Sequence, residues 1–272
     1  MQLIETNIIC NDFHNDENII FCQIDQIITD FIRISKMNRK IALIVGNGDY
    51  TLTNEHMKYC PENVEIIFAQ NTISTHPKII PIPTGVENEF DPSRKGHGCV
   101  NIDIFDKKKY LKPHSTDLIR HSDRFYANFS TPSHGCHLYS IFSGYRESIK
   151  NICVSSEHID YETGLSIPNY FEKVISYQSI ISPIGNGIEC IRTWESMYMN
   201  RVPIVVGGLN LHNVILKIYK DLPLVFIEDI NLLNNLDFLR KEIDKASIKS
   251  KEKLDYNYWK DFMMEKIKDK NI

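Results

Sequence analysis

Apolar residues gather in short runs that are separated by turn residues over most of the chain. Runs of about four to eight such residues, bounded by Gly, Pro or Asn, are typical of strands buried in a parallel sheet. The pattern predicts strands at residues 40–46, 64–69, 79–83, 124–130, 152–155, 179–183, 202–206 and 223–227.

Other stretches place their large apolar residues at helical spacing. These predict helices at residues 19–34, 137–149, 170–177, from the turn at Gly187 to about residue 199, from about residue 211, and over much of the chain after residue 231. Strands that alternate with helices predict an α/β fold in which helices cover both faces of a parallel sheet.

The region 91–122 interrupts this alternation, because Pro, Gly, Ser, Lys and Asp cluster there with little periodicity. Such composition is typical of a linker or a loop excursion between domains. We therefore predict a first half over residues 1–122, which ends in this linker, a second half over 123–253, and a C-terminal helix over 254–272.

Composition and charge exclude several classes of protein. The formal net charge of the 272-residue chain is -4, which does not favour a general nucleic-acid-binding protein. The seven cysteines are odd in number and none are spaced as CxxC, so we expect free thiols in a reducing compartment. The N-terminus lacks a signal-peptide pattern, and no apolar run approaches the roughly 18 residues of a transmembrane helix. We expect a cytoplasmic protein, with peripheral membrane contact left open.

The segment 182–206 carries the most chemical information, because it predicts a strand, a glycine turn, a helix and a second strand. Gly185 and Gly187, on either side of Asn186, allow the backbone to pass close to a ligand. The free N–H groups at the start of the helix suit a diphosphate. An ordinary structural turn between a strand and a helix would have the same pattern.

In the predicted helix, Glu189, Arg192, Thr193 and Ser196 share one side, and Glu195 lies near the border of the apolar side. One hypothesis is that Glu195 binds sugar hydroxyls beside a guanidinium that binds phosphate. The alternative is that Arg192 and Glu195 form a surface ion pair.

The same segment resembles the exostosin-like glycosyltransferases, and within them the branch of ribitol xylosyltransferases and the small xylosyltransferases of algal viruses. The matching positions are Ser182, Pro183, Gly185, Arg192, Trp194, Glu195 and the run 202–205. Ser196 and Asn200 depart from the family pattern, which has Ala and Gly there. Residues 75–88, 126–130 and 145–146 resemble the family more loosely.

The resemblance implies a GT-B architecture, in which two Rossmann-like halves face each other across a cleft. It implies that the donor nucleotide binds to the second half and that the C-terminal helix packs back on the first. The implied donor-binding residues are Arg146, Ser182, Gly185, Asn186, Gly187, Arg192, Thr193 and Glu195.

The implied activity is the inverting transfer of a sugar, with xylose as the best guess, from a UDP-sugar to an acceptor glycan. No cofactor or metal is expected, and the second half has no Asp-x-Asp sequence of the metal-binding kind. The general base should come from the first half, where Asp49, His76, Glu87 and Glu89 are the candidates. Each of these is equally explained as a solvated carboxylate or a structural histidine.

Two other classes of function stay open at this stage. The chain could be a non-catalytic module that binds a nucleotide sugar or a glycan, or another GT-B enzyme such as an epimerase. The presence of both Arg192 and Glu195 argues against a decayed donor site.

Overall fold

The computed structural model describes residues 1–48, 50–88, 107–131, 144–185, 187–207 and 218–272. Within these ranges the protein is an α/β structure with two parallel sheets and eight α-helices. Each sheet belongs to one half of the chain, so the described part consists of two layered α/β units joined in sequence.

The sheet of the first half has four strands in the order β1-β2-β3-β4, all parallel. They are β1 (Ile19–Gln23), β2 (Ile41–Gly46), β3 (Val64–Ala69) and β4 (Ile79–Pro81). Every residue of β2 is buried, as expected for a continuous apolar run that has a neighbour on each side.

The sheet of the second half has five parallel strands in the order β6-β5-β7-β8-β9. They are β5 (Phe125–Asn128), β6 (Ile159–Glu162), β7 (Ser179–Pro183), β8 (Val202–Val206) and β9 (Val225–Ile227). All residues of β7 and β8 are buried, so these two strands form the centre of this half.

The helices pack against these sheets. They are α1 (Thr6–Phe13), α2 (Ile27–Ile34), α3 (Asn54–Met57), α4 (Tyr145–Ser155), α5 (Ile167–Ser176), α6 (Ile191–Tyr198), α7 (Leu236–Ser247) and α8 (Tyr256–Lys268). In the described part of the chain, none of them combines the length and the apolar character needed to cross a bilayer.

The helix predicted over residues 19–34 is wrong in its first part. Ile19–Gln23 is the strand β1, Ile24–Gln26 is a 3₁₀ turn, and only Ile27–Ile34 is helical. The β-branched and aromatic side chains of Ile19, Ile20 and Phe21 favour a strand beside β2 over a helix. The helical spacing continues through both elements, which concealed the boundary between them.

The strand predicted at residues 152–155 is also wrong, because these residues are the last turn of α4. Ile149 and Cys153 are the buried residues of this helix and lie one turn apart on the same face. The strand is β6, an edge strand of which only Ile159 is buried, so it lacks a continuous apolar run. The predicted helices at 137–149 and from 211 begin outside the described residues.

The carboxyl-terminal edges of the two parallel sheets face each other. The loops after β3 and β4 contact the loop after β7, since Asn71 lies against Gly187 and Thr84 is hydrogen-bonded to Glu189. Carboxyl ends of parallel strands are the usual place for ligands in open α/β sheets. The junction of the two halves is therefore where a site is expected.

The last helix follows the second half in sequence but also contacts the first half. The Tyr256 hydroxyl donates to Asp12 at 3.0 Å, and the Lys260 ammonium lies 2.9 Å from the same carboxylate. The Lys40 ammonium donates to the Lys270 carbonyl oxygen at 3.1 Å. Helix α8 thus joins the two ends of the described chain.

Tyr198, which is fully buried at the end of α6, makes a further link between the halves. Its hydroxyl accepts from the Ile4 backbone N–H at 2.9 Å and donates to the Leu254 carbonyl oxygen at 2.8 Å. One phenol oxygen therefore satisfies two buried backbone groups from distant parts of the sequence.

We predict that Tyr198→Phe lowers the free energy of unfolding by about 1–3 kcal/mol, because both backbone groups would remain buried without a partner. Urea denaturation followed by circular dichroism measures this. Tyr59→Phe, at a side chain that is 66% exposed, is the matched control and should change little. Equal midpoints for the two variants would contradict the role given to the Tyr198 hydroxyl.

Candidate functional site

The helix after the predicted glycine turn begins later than the sequence indicated. Strand β7 ends at Pro183, and α6 begins at Ile191 with Cys190 as its N-cap residue. Glu189 therefore lies in the connection and not on the helix face that it was predicted to share with Arg192.

Gly187 lies directly against the Asn71 side chain of the first half. A Cβ atom at this position would overlap the Asn71 side chain, whose backbone is itself in the left-handed region with φ 47°. At Gly185, by contrast, a Cβ atom would have the Glu189 carbonyl oxygen as its nearest neighbour at 3.6 Å, an ordinary contact. The sequence left open whether a ligand or an ordinary structural turn explains the two glycines, and the contact between the halves gives a packing reason for Gly187.

Ser182 and Thr193, two of the implied donor-binding residues, are fully buried. Their hydroxyl oxygens lie 2.8 Å apart and are hydrogen-bonded to each other. This bond connects β7 to α6 and holds the helix against the sheet. Both side chains therefore lie beneath the surface of the site and contribute to it by holding α6 in place.

Arg146 and Arg192 approach the same place from different helices. Arg192 Nη1 donates to Cys190 Sγ at 3.4 Å. Burial lowers the pKa of Arg146, and the nearby charge of Arg192 lowers this pKa further. Cys190 acts in the opposite direction. Burial also disfavours the charge of Arg192, but Cys190, Tyr170 and Glu195 together raise its pKa. We call Arg146 and Arg192 the arginine pair.

The arginine pair has unused hydrogen-bonding capacity. The Nε atoms of both side chains are buried, and within the described residues neither has a hydrogen-bond partner. Two like charges held together, with donors left unsatisfied, are unfavourable unless an anion lies between or beside them. The start of α6, with its positive dipole end, lies next to Cys190 and adds to the same field.

A second group of charges spans the junction of the halves. Lys107 Nζ lies 2.6 Å from Glu87 Oε2 and 3.4 Å from Glu195 Oε1. The Tyr170 hydroxyl donates to Glu195 Oε2 at 3.3 Å. We call Glu87, Lys107, Tyr170 and Glu195 the junction cluster. The ion-pair partner of Glu195 is thus Lys107, in place of the surface pair with Arg192 that the sequence left open.

The structure brings one of the four base candidates to this cluster, namely Glu87. His76 lies before β4, where its Nδ1 accepts from the Lys78 backbone N–H at 3.2 Å. Lys78 Nζ donates to the Val64 carbonyl oxygen at the start of β3, so His76 is at the amino edge of the sheet, opposite the junction. Asp49 and Glu89 lie outside the described residues, as does Asn186.

Glu189 is a functional candidate that sequence analysis did not include. It is buried, and its two oxygens accept three hydrogen bonds: from the Thr84 backbone N–H and hydroxyl, both at 3.0 Å, and from the Trp194 indole N–H at 2.9 Å. Burial raises its pKa from the ordinary 4.5 to about 7, although these donors oppose the shift. Glu189 thus connects the turn after β7 to the loop after β4.

One sequence signal could have identified Glu189, since an acidic residue between a glycine turn and an apolar helix needs partners when buried. The sequence around Lys107 contains no comparable signal of a functional role. This lysine stands in a run of three lysines, and only the fold distinguishes it from Lys108 and Lys109.

Among the residues that the structure describes, no group of three or more His, Cys, Asp or Glu side chains is arranged to hold a metal ion. Comparison of the sequence with protein-family models gave no match, and neither did comparison with curated proteins. Function is therefore inferred from the side chains at the junction of the two halves.

We predict that Glu189→Gln reduces the pH dependence of stability. The pKa of Glu189 is raised by folding, so its contribution to stability is complete below about pH 4.5 and is lost as the pH rises to about 7. Over this window one such group changes the free energy of unfolding by up to about 1.4 kcal/mol per pH unit.

Urea titrations of the wild type and the variant at several pH values between 4.5 and 8 test this. The difference in free energy of unfolding between variant and wild type should shift in favour of the variant as the pH rises. Parallel curves across the window would show that Glu189 does not titrate there.

Proposed function

We propose that this protein is a glycosyltransferase of the GT-B type, which transfers a sugar from a UDP-sugar to an acceptor glycan with inversion. The observation that carries the proposal is the arginine pair: two partly buried guanidinium groups beside the start of α6, whose buried Nε atoms have no hydrogen-bond partner in the described part of the chain. Their position near the carboxyl edge of the second sheet is where a nucleotide diphosphate would bind in a Rossmann-like half.

The arginine pair supplies the electrostatic part of the reaction. As the bond between the anomeric carbon and the diphosphate breaks, negative charge accumulates on the diphosphate oxygens. Fixed positive groups lower the barrier most when they are already in place and shielded from water. Arg146 and Arg192 extend from α4 and α6, whose packing holds them in place, and their Nε atoms are shielded from water.

Glu195 is proposed to bind the ribose hydroxyls of the donor. It is buried, and the contacts that described residues make with it, Lys107 at 3.4 Å and Tyr170 at 3.3 Å, are longer than the roughly 2.7 Å typical of a hydroxyl bound to a carboxylate. Two ribose hydroxyls could therefore replace them at better distances.

Glu87 is proposed as the general base. It is a partly exposed carboxylate of the first half and belongs to the same cluster as Glu195 of the second half. It would take the proton of the acceptor hydroxyl while the hydroxyl oxygen attacks the anomeric carbon from the side opposite the leaving UDP. Attack from that side inverts the anomeric configuration. Xylose remains the proposed sugar because the nearest resemblance implies it.

We predict that Arg192→Ala weakens UDP binding at least tenfold while the protein stays folded, since a charged hydrogen bond contributes about 1.5–3 kcal/mol. Calorimetric titration with UDP measures this. Arg240→Ala, at an exposed arginine of α7, is the matched control and should bind UDP as the wild type does. Unchanged affinity in Arg192→Ala would refute the donor site.

An assay of sugar transfer with UDP-xylose and other UDP-sugars separates the remaining alternatives. UDP binding with no turnover of any donor would favour a non-catalytic binding module. Interconversion of the donor sugar without transfer would favour an epimerase.

We also predict that transfer persists after treatment with EDTA, because the arginine pair and the start of α6 would carry the charge of the leaving diphosphate. Rates are compared before and after chelation and after addition of Mn²⁺ or Mg²⁺. A rate lost with EDTA and restored by either ion would contradict this prediction.

A further inference from the structure

Lys107 holds its two carboxylate partners unequally. Its ammonium lies 2.6 Å from Glu87 but 3.4 Å from Glu195. The first distance is that of a short charged hydrogen bond, and the second is near the outer limit for one. A competitor for Glu195 would therefore displace a weak contact and leave the strong one intact.

The backbone around Lys107 is fixed by both halves. The next residue, Lys108, forms an ion pair at 2.9 Å with the buried Glu5 of the first half. Tyr110 stacks on Phe171 of α5 in the second half, with ring centroids 4.7 Å apart and an interplanar angle of 11°. Because the backbone is held on both sides, a change of partner requires only a rotation of the Lys107 side chain.

The charge of Lys107 is stable while it changes partner. Burial opposes its protonation, but attraction to Glu195 and Glu87 outweighs this and raises its pKa. One ammonium is thus shared between two carboxylates on opposite sides of the junction. If either carboxylate is lost or occupied, the ammonium is available to the other.

We propose that Lys107 is a positioning residue that competes with the donor ribose for Glu195 and stays on Glu87 once the donor is bound. The inference rests on the proposed function, because it assigns Glu195 to the ribose. It adds a coupling between the two halves. When a donor occupies its site and binds Glu195, Lys107 keeps its ion pair with Glu87, the proposed base.

The test uses two probes, UDP and inorganic pyrophosphate, of which only UDP carries a ribose. Binding of both to the protein is measured by calorimetry, and the ratio of the pyrophosphate Kd to the UDP Kd measures what the nucleoside adds. The change of this ratio between variants of Lys107 and Glu87 reports on the contact of the ribose with Glu195. General effects of charge on the diphosphate site cancel in this ratio. The proteins are the wild type, Lys107→Met, Lys107→Arg, Glu87→Gln and the control Lys109→Met, which removes the same charge from an exposed lysine two residues away.

We expect the ratio to rise about two- to fivefold in Lys107→Met, the range for a partly exposed ion pair, because Glu195 loses its competing partner. The ratio should fall in Glu87→Gln, because Lys107 loses its stronger partner and pairs more closely with Glu195. Such an effect on ribose binding would cross the junction, since Glu87 lies in the first half and Glu195 in the second. Lys107→Arg and Lys109→Met should keep the ratio of the wild type. Opposite changes in two variants of one ion pair cannot arise from partial unfolding.

A ratio that is unchanged in both Lys107→Met and Glu87→Gln would overturn the role of Lys107, as would changes in the same direction. If wild-type protein binds neither probe, the proposed function itself fails. The two failures are thus distinguished by the wild-type titration alone.

Discussion

The hydrogen bonds between Thr84 and Glu189 hold the loop after one parallel sheet against the loop after the other. A carboxylate at this depth is costly unless its oxygens are satisfied, and both are, by donors from the two halves. The alignment of the two sheets follows from this constraint. It brings Asn71 against Gly187 and allows the charged side chains of the junction cluster to meet.

Charges alternate along the junction once this alignment is set. Glu87, Lys107, Glu195 and Arg192 are successively negative, positive, negative and positive, and the second arginine, Arg146, leaves a positive surplus next to Cys190. The positive surplus lies on the second half, and the partly exposed carboxylate of Glu87 lies on the first. This separation suits a reaction in which an anion leaves on one side and a proton is taken on the other.

The parts of the fold that sequence predicts well are those fixed by burial. Strands β7 and β8 have the predicted limits, because continuous apolar runs between turn residues have few alternatives. The edge strand β6 was missed, because only one of its residues is buried. At the site, the sequence places Arg192 and Glu195 on one helix. Lys107 could not be paired with Glu195, since the two residues are 88 positions apart and carry no local signal of the contact.

Helix α8 has a consequence for how the protein is made. Asp12 of the first half finds its partner Tyr256 in this helix, 244 positions later in the sequence. During synthesis this contact cannot form until α8 has left the ribosome. Folding of the two halves is coupled across nearly the whole sequence, and such long-range closure is slow. Until α8 is present, the apolar core residues that Trp259 and Met263 pack against lack part of their cover.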